Sequence, residues 1–193
     1  MRMMERITVI GGTVAGVEIA ALMARAGYAT CLHEPDQAAL AEAGRRLQDR
    51  LLGRQGEGGG AASVAQLAAV RVRLEAVPEV AVADADLVIE ASSVDLPGKR
   101  ELFARLDSFA PAHAILATCS PTISSAYLAA ATSRPDRVVS LGFFSPPLAP
   151  PAVAVIQEPH LAPEVVAAVA EVVWRTGREP LLLRRGREPE GMA

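Results

Sequence analysis

Residues 6–34 read RITVIGGTVAGVEIAALMARAGYATCLHE, and this stretch decides the fold. An apolar run breaks at a glycine pair, a helical pattern then continues to Gly27, and a second apolar run ends at Glu34. A strand, a glycine turn, a helix, a strand and an acid follow one another in this order in a dinucleotide-binding βαβ unit. In such a unit the backbone amides and the positive end of the helix dipole bind a pyrophosphate, and the acid accepts the ribose hydroxyls.

The turn supplies most of the candidate cofactor-binding residues. They are Gly11, Gly12, Thr13, Val14, Ala15 and Gly16. The fingerprint has its second glycine at the place of Thr13, whose side chain is expected to occupy space that the pyrophosphate approaches. Glu18 is expected to favour the helix dipole but to oppose a bound phosphate. Glu34 lies 18 residues after Gly16 and either selects NAD over NADP or is a solvated strand-end acid.

Composition limits the classes of protein that fit this chain. Its 193 residues, 51% hydrophobic and 21% charged, suffice for one substantial core in a single domain. The net charge of -3 argues against nucleic acid or an anionic membrane as partner. No apolar stretch reaches the roughly 20 residues of a spanning helix, so a cytoplasmic protein is expected. Cys31 and Cys119 should lie on opposite sides of the first strand, which predicts no disulfide.

Strand and helix patterns alternate along the rest of the chain. Predicted helices cover 37–52, 61–69, 97–109, 123–132 and 163–176, and predicted strands cover 71–74, 83–92, 113–118, 137–142, 152–157 and 180–184. A glycine-rich loop at 53–60 and a proline-rich turn at 143–151 separate some of them. The alternation predicts an α/β fold, a doubly wound, mainly parallel Rossmann sheet with helices on both faces.

Several later blocks carry a family resemblance. They read ADADLVIEA, LPGKRELFARLDSFAPAHAILAT, SLGFFSPP and VVWRTGREPLLL. Together with the glycine turn, they resemble the NAD-binding domain of 3-hydroxyacyl-CoA dehydrogenases over about residues 5–191. The resemblance implies NAD, an acyl-CoA or acyl-carrier thioester, and a following helical domain that completes the substrate site and the dimer. Because the sequence stops at EPEGMA, we expect residues 1–193 to form the NAD-binding domain alone.

The resemblance also assigns roles to residues after the fourth strand. It places Lys99 near the nicotinamide ribose, although a surface lysine on a helix is an equal alternative. It matches Glu90 to a family glutamate that either lines the cleft or caps a turn.

At the family's catalytic positions this sequence has different residues. Pro121 stands where the family has a substrate-binding serine, Gly142 where it has the histidine base, and Ala154 where it has the glutamate that orients the histidine. None of these three side chains can donate a proton to a substrate carbonyl. The sequence therefore predicts no catalytic residue and impaired dehydrogenase activity.

Other polar residues are weaker candidates. Cys119 is either a cleft thiolate or, as the favoured interpretation, an inert small residue. A hydroxyl cluster either binds a ligand or caps a helix, and comprises Ser120, Thr122, Ser124 and Ser125. The histidines His33, His113 and His160 lack metal-ligand spacing and are expected at the surface or at strand edges. Arg184, Arg185 and Arg187 form either a solvated end or a contact for an acidic partner or an acyl carrier's phosphate.

Two functions stay open at this point. One is an NAD(H)-binding, dehydrogenase-like protein of acyl-thioester metabolism with impaired catalysis. The other is a non-catalytic interaction or regulatory subunit that forms a homodimer or pairs with an active enzyme and has lost NAD binding. The second follows from the replaced catalytic positions and from apolar surface expected around Phe143, Phe144 and the proline turn.

Overall fold

A computed structural model describes residues 3–52, 71–120, 122–143 and 151–185. The strands are β1 (Arg6–Ile10), β2 (Ala29–His33), β3 (Val72–Glu75), β4 (Leu87–Glu90), β5 (Ile115–Thr118), β6 (Val138–Phe143), β7 (Ala152–Gln157) and β8 (Glu179–Arg184). The α-helices are α1 (Val14–Arg25), α2 (Gln37–Leu51), α3 (Pro78–Val82), α4 (Leu96–Phe109), α5 (Ser125–Ala129) and α6 (Pro163–Arg175). A single 3₁₀ turn, Pro135–Arg137, precedes β6 in the described part of the chain.

The described strands form one sheet in the order β3-β2-β1-β4-β5-β6-β7-β8. The first six strands are parallel, β7 is antiparallel to β6, and β8 is parallel to β7. The predicted doubly wound, mainly parallel α/β sheet is therefore confirmed. From β1 the chain proceeds to β2 on one side, and it later returns to β4 on the other. A crevice forms at such a reversal beyond the carboxyl ends of the strands.

Two apolar clusters cover the two faces of the sheet. One packs Ile7 and Val9 of β1 against α1, α2 and α6, and the other packs Ile10 against α3, α4 and α5. Helices on both faces agree with the prediction. The continuous apolar core strands reflect this double coverage, because a parallel strand buried on both sides needs no polar face.

Side-chain caps set several helix starts. Asp36 accepts the Ala39 amide at 2.8 Å, as its predicted capping role requires, and Asp95 accepts the Gly98 amide at 3.0 Å. Helix α5 begins at Ser125, two residues later than predicted, and ends at Ala129, three residues earlier. The Glu158 carboxylate fixes its first turn, and the Thr132 hydroxyl donates to the Ala129 carbonyl at its end.

Some predictions differ from the structure or fall outside it. Helix α3 was not predicted, because five residues are too few to show helical periodicity. The predicted loop at 53–60, the predicted helix at 61–69 and residues 144–150 of the proline-rich turn lie outside the described residues. Cys31 on β2 and Cys119 after β5 are both free thiols on opposite sides of β1, so the prediction of no disulfide is confirmed.

Candidate functional site

The turn between β1 and α1 requires glycine at two places. Gly11 has a φ of +108°, and a Cβ on it would lie 2.9 Å from the Ser92 backbone. A Cβ on Gly16 would lie 1.9 Å from the Gly11 carbonyl oxygen, which is a severe overlap. The first turn of α1 therefore sits directly against the end of β1. This close approach is what a dinucleotide-binding turn needs to bring its amides to a pyrophosphate.

Thr13 caps α1. Its hydroxyl accepts the Gly16 amide at 3.0 Å and donates to the Ala91 carbonyl at 2.9 Å. The Val14 and Ala15 amides occupy the first two helical positions, where no partner exists within a helix. Both residues are exposed. These two amides are therefore the candidates for contact with an anion, and the obstruction expected of Thr13 stays a prediction.

Glu18 of α1 contacts the neighbouring helix α2. Its carboxylate forms an ion pair with Arg50 of α2, so the negative charge is balanced on the side of α1 that faces α2. The opposition to a bound phosphate expected of Glu18 is correspondingly weakened.

Glu34 is tied to the glycine turn. Its Oε2 accepts the Gly12 amide at 2.9 Å, and a Cβ on Gly12 would lie 3.1 Å from Glu34 Cγ. Glu34 is half-buried. It is therefore not the solvated strand-end acid of the alternative interpretation, but a carboxylate held where β2 and the turn meet.

Glu90 and Lys99 form a buried ion pair beyond β4. Glu90 is 0% exposed and Lys99 only 7%, which excludes the alternative of a surface lysine. Glu90 also accepts the Ser92 amide at 2.8 Å, the Ser92 hydroxyl at 2.7 Å and the Thr118 hydroxyl at 2.9 Å. Lys99 donates to the Ser92 carbonyl at 2.9 Å. The pair thus caps the turn after β4 and fixes Ser92, which lines the adjoining cleft.

These elements enclose a cleft of about 570 Å³ at the reversal of the strand order. Its walls come from the glycine turn, the end of β2, the start of α3, the segment after β4 and α4. The lining residues include Gly11, Thr13, Glu34, Val77, Ser92 and Leu102. A concave cleft that combines apolar side chains with several polar and charged groups is typical of a ligand site.

The outer end of the cleft contains residues that the sequence did not assign to it. Glu79 of α3 and Arg105 of α4 form an ion pair there. His33 is 3% exposed, which corrects the expectation of a surface or strand-edge residue. Burial lowers the pKa of His33, and its Nδ1 lies 2.9 Å from the Glu75 carbonyl, so a neutral ring donates to that oxygen at pH 7. In the sequence, the only indication that His33 lies at the cleft is its position next to Glu34.

Cys119 is not a thiolate. Burial, and after it the Glu90 charge, raise the pKa of this thiol far above its usual range. The inert interpretation is therefore supported. Ser120 and Thr122 place their hydroxyls 3.3 Å apart, on either side of Pro121, which lies outside the described residues.

Ser124 and Ser125 do not cap α5 with their own side chains. Instead, Glu158 accepts the amides of Ser125 at 3.0 Å and Ala126 at 3.1 Å, and the Ser124 hydroxyl at 2.6 Å. Arg185 lies 3.3 Å from the same carboxylate, so it belongs to an internal cluster rather than to a solvated end. Arg184 is exposed, and Arg187 lies outside the described residues. The sequence did not point to Glu158, because the α5 groups that it binds are more than 30 residues away.

The other two histidines lie away from the cleft. His113 Nε2 is 2.9 Å from Asp86 Oδ1, at the amino end of the parallel strands. His160 Nε2 is 3.0 Å from the Val138 carbonyl. Neither joins a cluster of three or more metal-ligating side chains within the described ranges.

Gly142 and Ala154 lie opposite each other on β6 and β7. Both are buried, and neither offers a group that can transfer a proton. Phe143, next to Gly142, is partly buried against the main apolar cluster, which corrects the expectation that it contributes open apolar surface. Phe144 lies outside the described residues. In the part of the chain that the structure describes, no helix is long and apolar enough to span a membrane.

The chain is similar to known proteins over most of its length. A family model described as the NAD-binding domain of 3-hydroxyacyl-CoA dehydrogenase matches residues 6–186. The 3-hydroxyadipyl-CoA dehydrogenase of Escherichia coli K12 is 33% identical over 178 residues, covering 92% of this chain and 37% of that protein. Human mitochondrial hydroxyacyl-coenzyme A dehydrogenase is 28% identical over 184 residues, covering 92% and 58%. The chain thus spans less than two thirds of these curated relatives.

Solved structures agree with these matches. A diketoreductase superposes with a TM-score of 0.86 at 31% identity, covering 99% of this chain and 67% of that one. The 3-hydroxybutyryl-CoA dehydrogenase of Escherichia coli K12 superposes with a TM-score of 0.83 at 31% identity, covering 94% and 38%. The family resemblance and the prediction of NAD as cofactor are confirmed by these findings.

Proposed function

Because this chain belongs to the family of NAD-binding domains of 3-hydroxyacyl-CoA dehydrogenases, we propose that its cleft binds NAD(H) while its proton-transfer chemistry is impaired. One observation carries the first half of this proposal. The glycine turn is packed so closely that a Cβ on Gly16 would overlap the Gly11 carbonyl, and the exposed residues Val14 and Ala15 begin α1 directly after the Thr13 cap.

The residues present fit a dinucleotide. The amides of Val14 and Ala15 would hold the pyrophosphate at the positive end of α1, and Glu34 would accept ribose hydroxyls. The buried Glu90–Lys99 pair fixes the turn after β4 on the other side of the crevice. When bound, NAD supplies the acceptor or donor of a hydride.

The second half of the proposal concerns the chain's own side chains. Reduction of a 3-ketoacyl thioester needs a proton donor within hydrogen-bond reach of the carbonyl oxygen, a contribution of roughly 10²–10⁴-fold in rate. Gly142 and Ala154 hold the positions that the family resemblance assigns to the histidine and its glutamate. Neither can supply or orient a proton, which supports an NAD(H)-binding protein of acyl-thioester metabolism with little activity of its own.

Calorimetric titration with NAD⁺ and NADH tests the binding half. We expect saturable binding to the wild-type chain and about tenfold weaker binding to Glu34→Ala, because the ribose loses a charged acceptor. Glu171→Ala, at an exposed carboxylate on α6 outside the cleft lining, is the control and should bind as wild type. Absence of binding to the wild-type chain would overturn the proposal.

A nicotinamide absorbance assay tests the catalytic half. NADH and acetoacetyl-CoA are mixed with the protein at high concentration, and we expect no oxidation of NADH above the background rate. Turnover comparable to that of an intact family dehydrogenase would show that another side chain supplies the proton.

A second function, pairing with another subunit or copy, is favoured by the free edge of the described sheet. Strand β8 ends that sheet, and Leu182 and Leu183 on it are 52% and 46% exposed. An apolar edge strand with unpaired backbone groups is a template for association. Sedimentation over a range of concentrations tests it, and a monomer throughout, with no partner recovered, would count against it.

A further inference from the structure

Gly12 is held through both of its peptide groups by side chains of two different elements. Its N–H donates to Glu34 Oε2 at 2.9 Å, and its carbonyl accepts from Arg46 Nη2 at 2.7 Å. Gly12 is itself buried, with the Ala43 Cβ of α2 only 3.1 Å from where its own Cβ would lie. The turn is therefore fixed at Gly12, one residue before the position at which the fingerprint has its second glycine.

Arg46 is placed for this contact by α2. Its side chain is one-third exposed, and its Nε is buried without a hydrogen-bond partner in the described part of the chain. The nearest carboxylate on its own helix, Glu42, is 3.9 Å from Nε. A buried guanidinium nitrogen without a partner has a free-energy cost. At 2.7 Å, the hydrogen bond to the Gly12 carbonyl is much shorter than the Arg46–Glu42 contact, so the turn is the better-formed partner of this guanidinium.

We propose that Arg46 is a positioning residue for the pyrophosphate of the cofactor. This inference rests on the proposed NAD(H) binding and deepens it. Thr13 and Val14 follow Gly12 directly, so the orientation of the Gly12–Thr13 peptide group affects where the amides of Val14 and Ala15 point. Arg46 holds the carbonyl of that peptide group, and Glu34 holds the N–H of the Gly11–Gly12 peptide group before it.

The arrangement also links the two ends of the dinucleotide-binding region. Glu34 serves both the Gly12 amide and, in the proposed function, the ribose. Arg46 places a fixed positive charge next to a turn that would receive two phosphates. Removal of Arg46 should therefore weaken the binding of ligands that carry the pyrophosphate and leave the binding of adenosine unchanged.

The test compares two ligands by NMR titration of the full chain. Adenosine lacks the pyrophosphate, and ADP-ribose contains it. For Arg46→Met we expect about tenfold weaker binding of ADP-ribose and unchanged binding of adenosine, since one charge-assisted hydrogen bond is lost. Arg46→Lys keeps the charge and should recover part of the ADP-ribose affinity. Arg45→Met, at the exposed neighbour that pairs with Glu42, is the matched control and should change neither.

The possible results separate this inference from the proposed function. Equal weakening of both ligands, or no change for ADP-ribose, would overturn the role of Arg46, and a thermal melt of each variant identifies a general loss of fold. If Arg46→Met does not fold, Arg46→Lys carries the test. An ADP-ribose affinity and a chemical shift of the Gly12 amide that both equal those of the wild-type chain would then overturn the inference. Failure of the wild-type chain to bind ADP-ribose would overturn the proposed function itself.

Discussion

Gly142 on β6 and Ala154 on β7 are direct cross-strand partners in the only antiparallel pairing of the described sheet. Side chains at such positions have Cβ atoms about 4.5–5.5 Å apart, close enough for a hydrogen-bonded pair. Both positions are buried, and a lone charge at either would lack a partner. The geometry therefore places positions 142 and 154 close enough for their side chains to interact directly.

A double-mutant cycle at these positions should show coupling. Ala154→Glu alone is expected to destabilise the fold by about 2 kcal/mol, because it buries an unpaired carboxyl. Adding Gly142→His should recover about 1 kcal/mol, since the imidazole can donate to that carboxyl. Urea unfolding measures both values.

The control for this cycle uses the same strand. Val155→Glu is also buried, but it lies opposite Leu141 and on the other face of the sheet, so Gly142→His should not rescue it. Equal effects of Gly142→His on the two glutamate variants would contradict a specific cross-strand pair.

The site residues that could be predicted from the sequence lie in short segments with a recognisable local pattern. The glycine turn, Glu34 and Lys99 each follow a strand at a characteristic spacing. The structure places the turn and Glu34 in the cleft lining and buries Lys99 against Glu90. The burial of His33 and the contact of Arg46 with Gly12 could not be predicted in this way. Both depend on the packing of β3 and α2 against the first βαβ unit, and no periodicity in the sequence reports that packing.

Substitutions of Glu90 and Lys99 should have strongly non-additive effects on the free energy of unfolding. Lys99→Met leaves a fully buried carboxylate without its cation and is expected to cost roughly 3–5 kcal/mol. Glu90→Gln combined with Lys99→Met removes both charges and should recover more than half of that loss. Chemical denaturation of the single and double variants measures this. Additive losses would show that the two side chains do not act as a pair.

Gly16→Ala should destabilise the fold more than an alanine at a glycine with open space. Its Cβ would meet the Gly11 carbonyl oxygen at 1.9 Å, so α1 must move away from β1, at a cost of roughly 3 kcal/mol. Gly27→Ala is the control, because its Cβ meets nothing within 4 Å, although its φ of +88° costs about 1 kcal/mol. Thermal melts compare the two. Equal stability of the variants would argue against the close contact of α1 with β1.

Glu158 should make the free energy of unfolding depend on pH in the acidic range. Burial alone would raise the pKa of Glu158, but the Ser124 hydroxyl, the Ala126 and Ser125 amides and the Arg185 charge outweigh it and hold this pKa below its usual range. An unfolded glutamate titrates near about 4.3. The carboxylate's contribution is therefore fully present above that pH and is lost as pH falls through the lower pKa of the folded state.

Glu158→Gln is expected to destabilise the fold at pH 7 by about 1–3 kcal/mol, because it exchanges a charged acceptor of several hydrogen bonds for a neutral one. The difference from wild type should shrink as the pH falls below about 4.3, since the wild-type carboxyl then takes up a proton. Urea unfolding at several pH values measures it. Glu164→Gln, at an exposed position on α6, is the control. A wild-type minus Glu158→Gln difference that stays constant from pH 7 to pH 3 would show that the capping of α5 does not depend on the charge of Glu158.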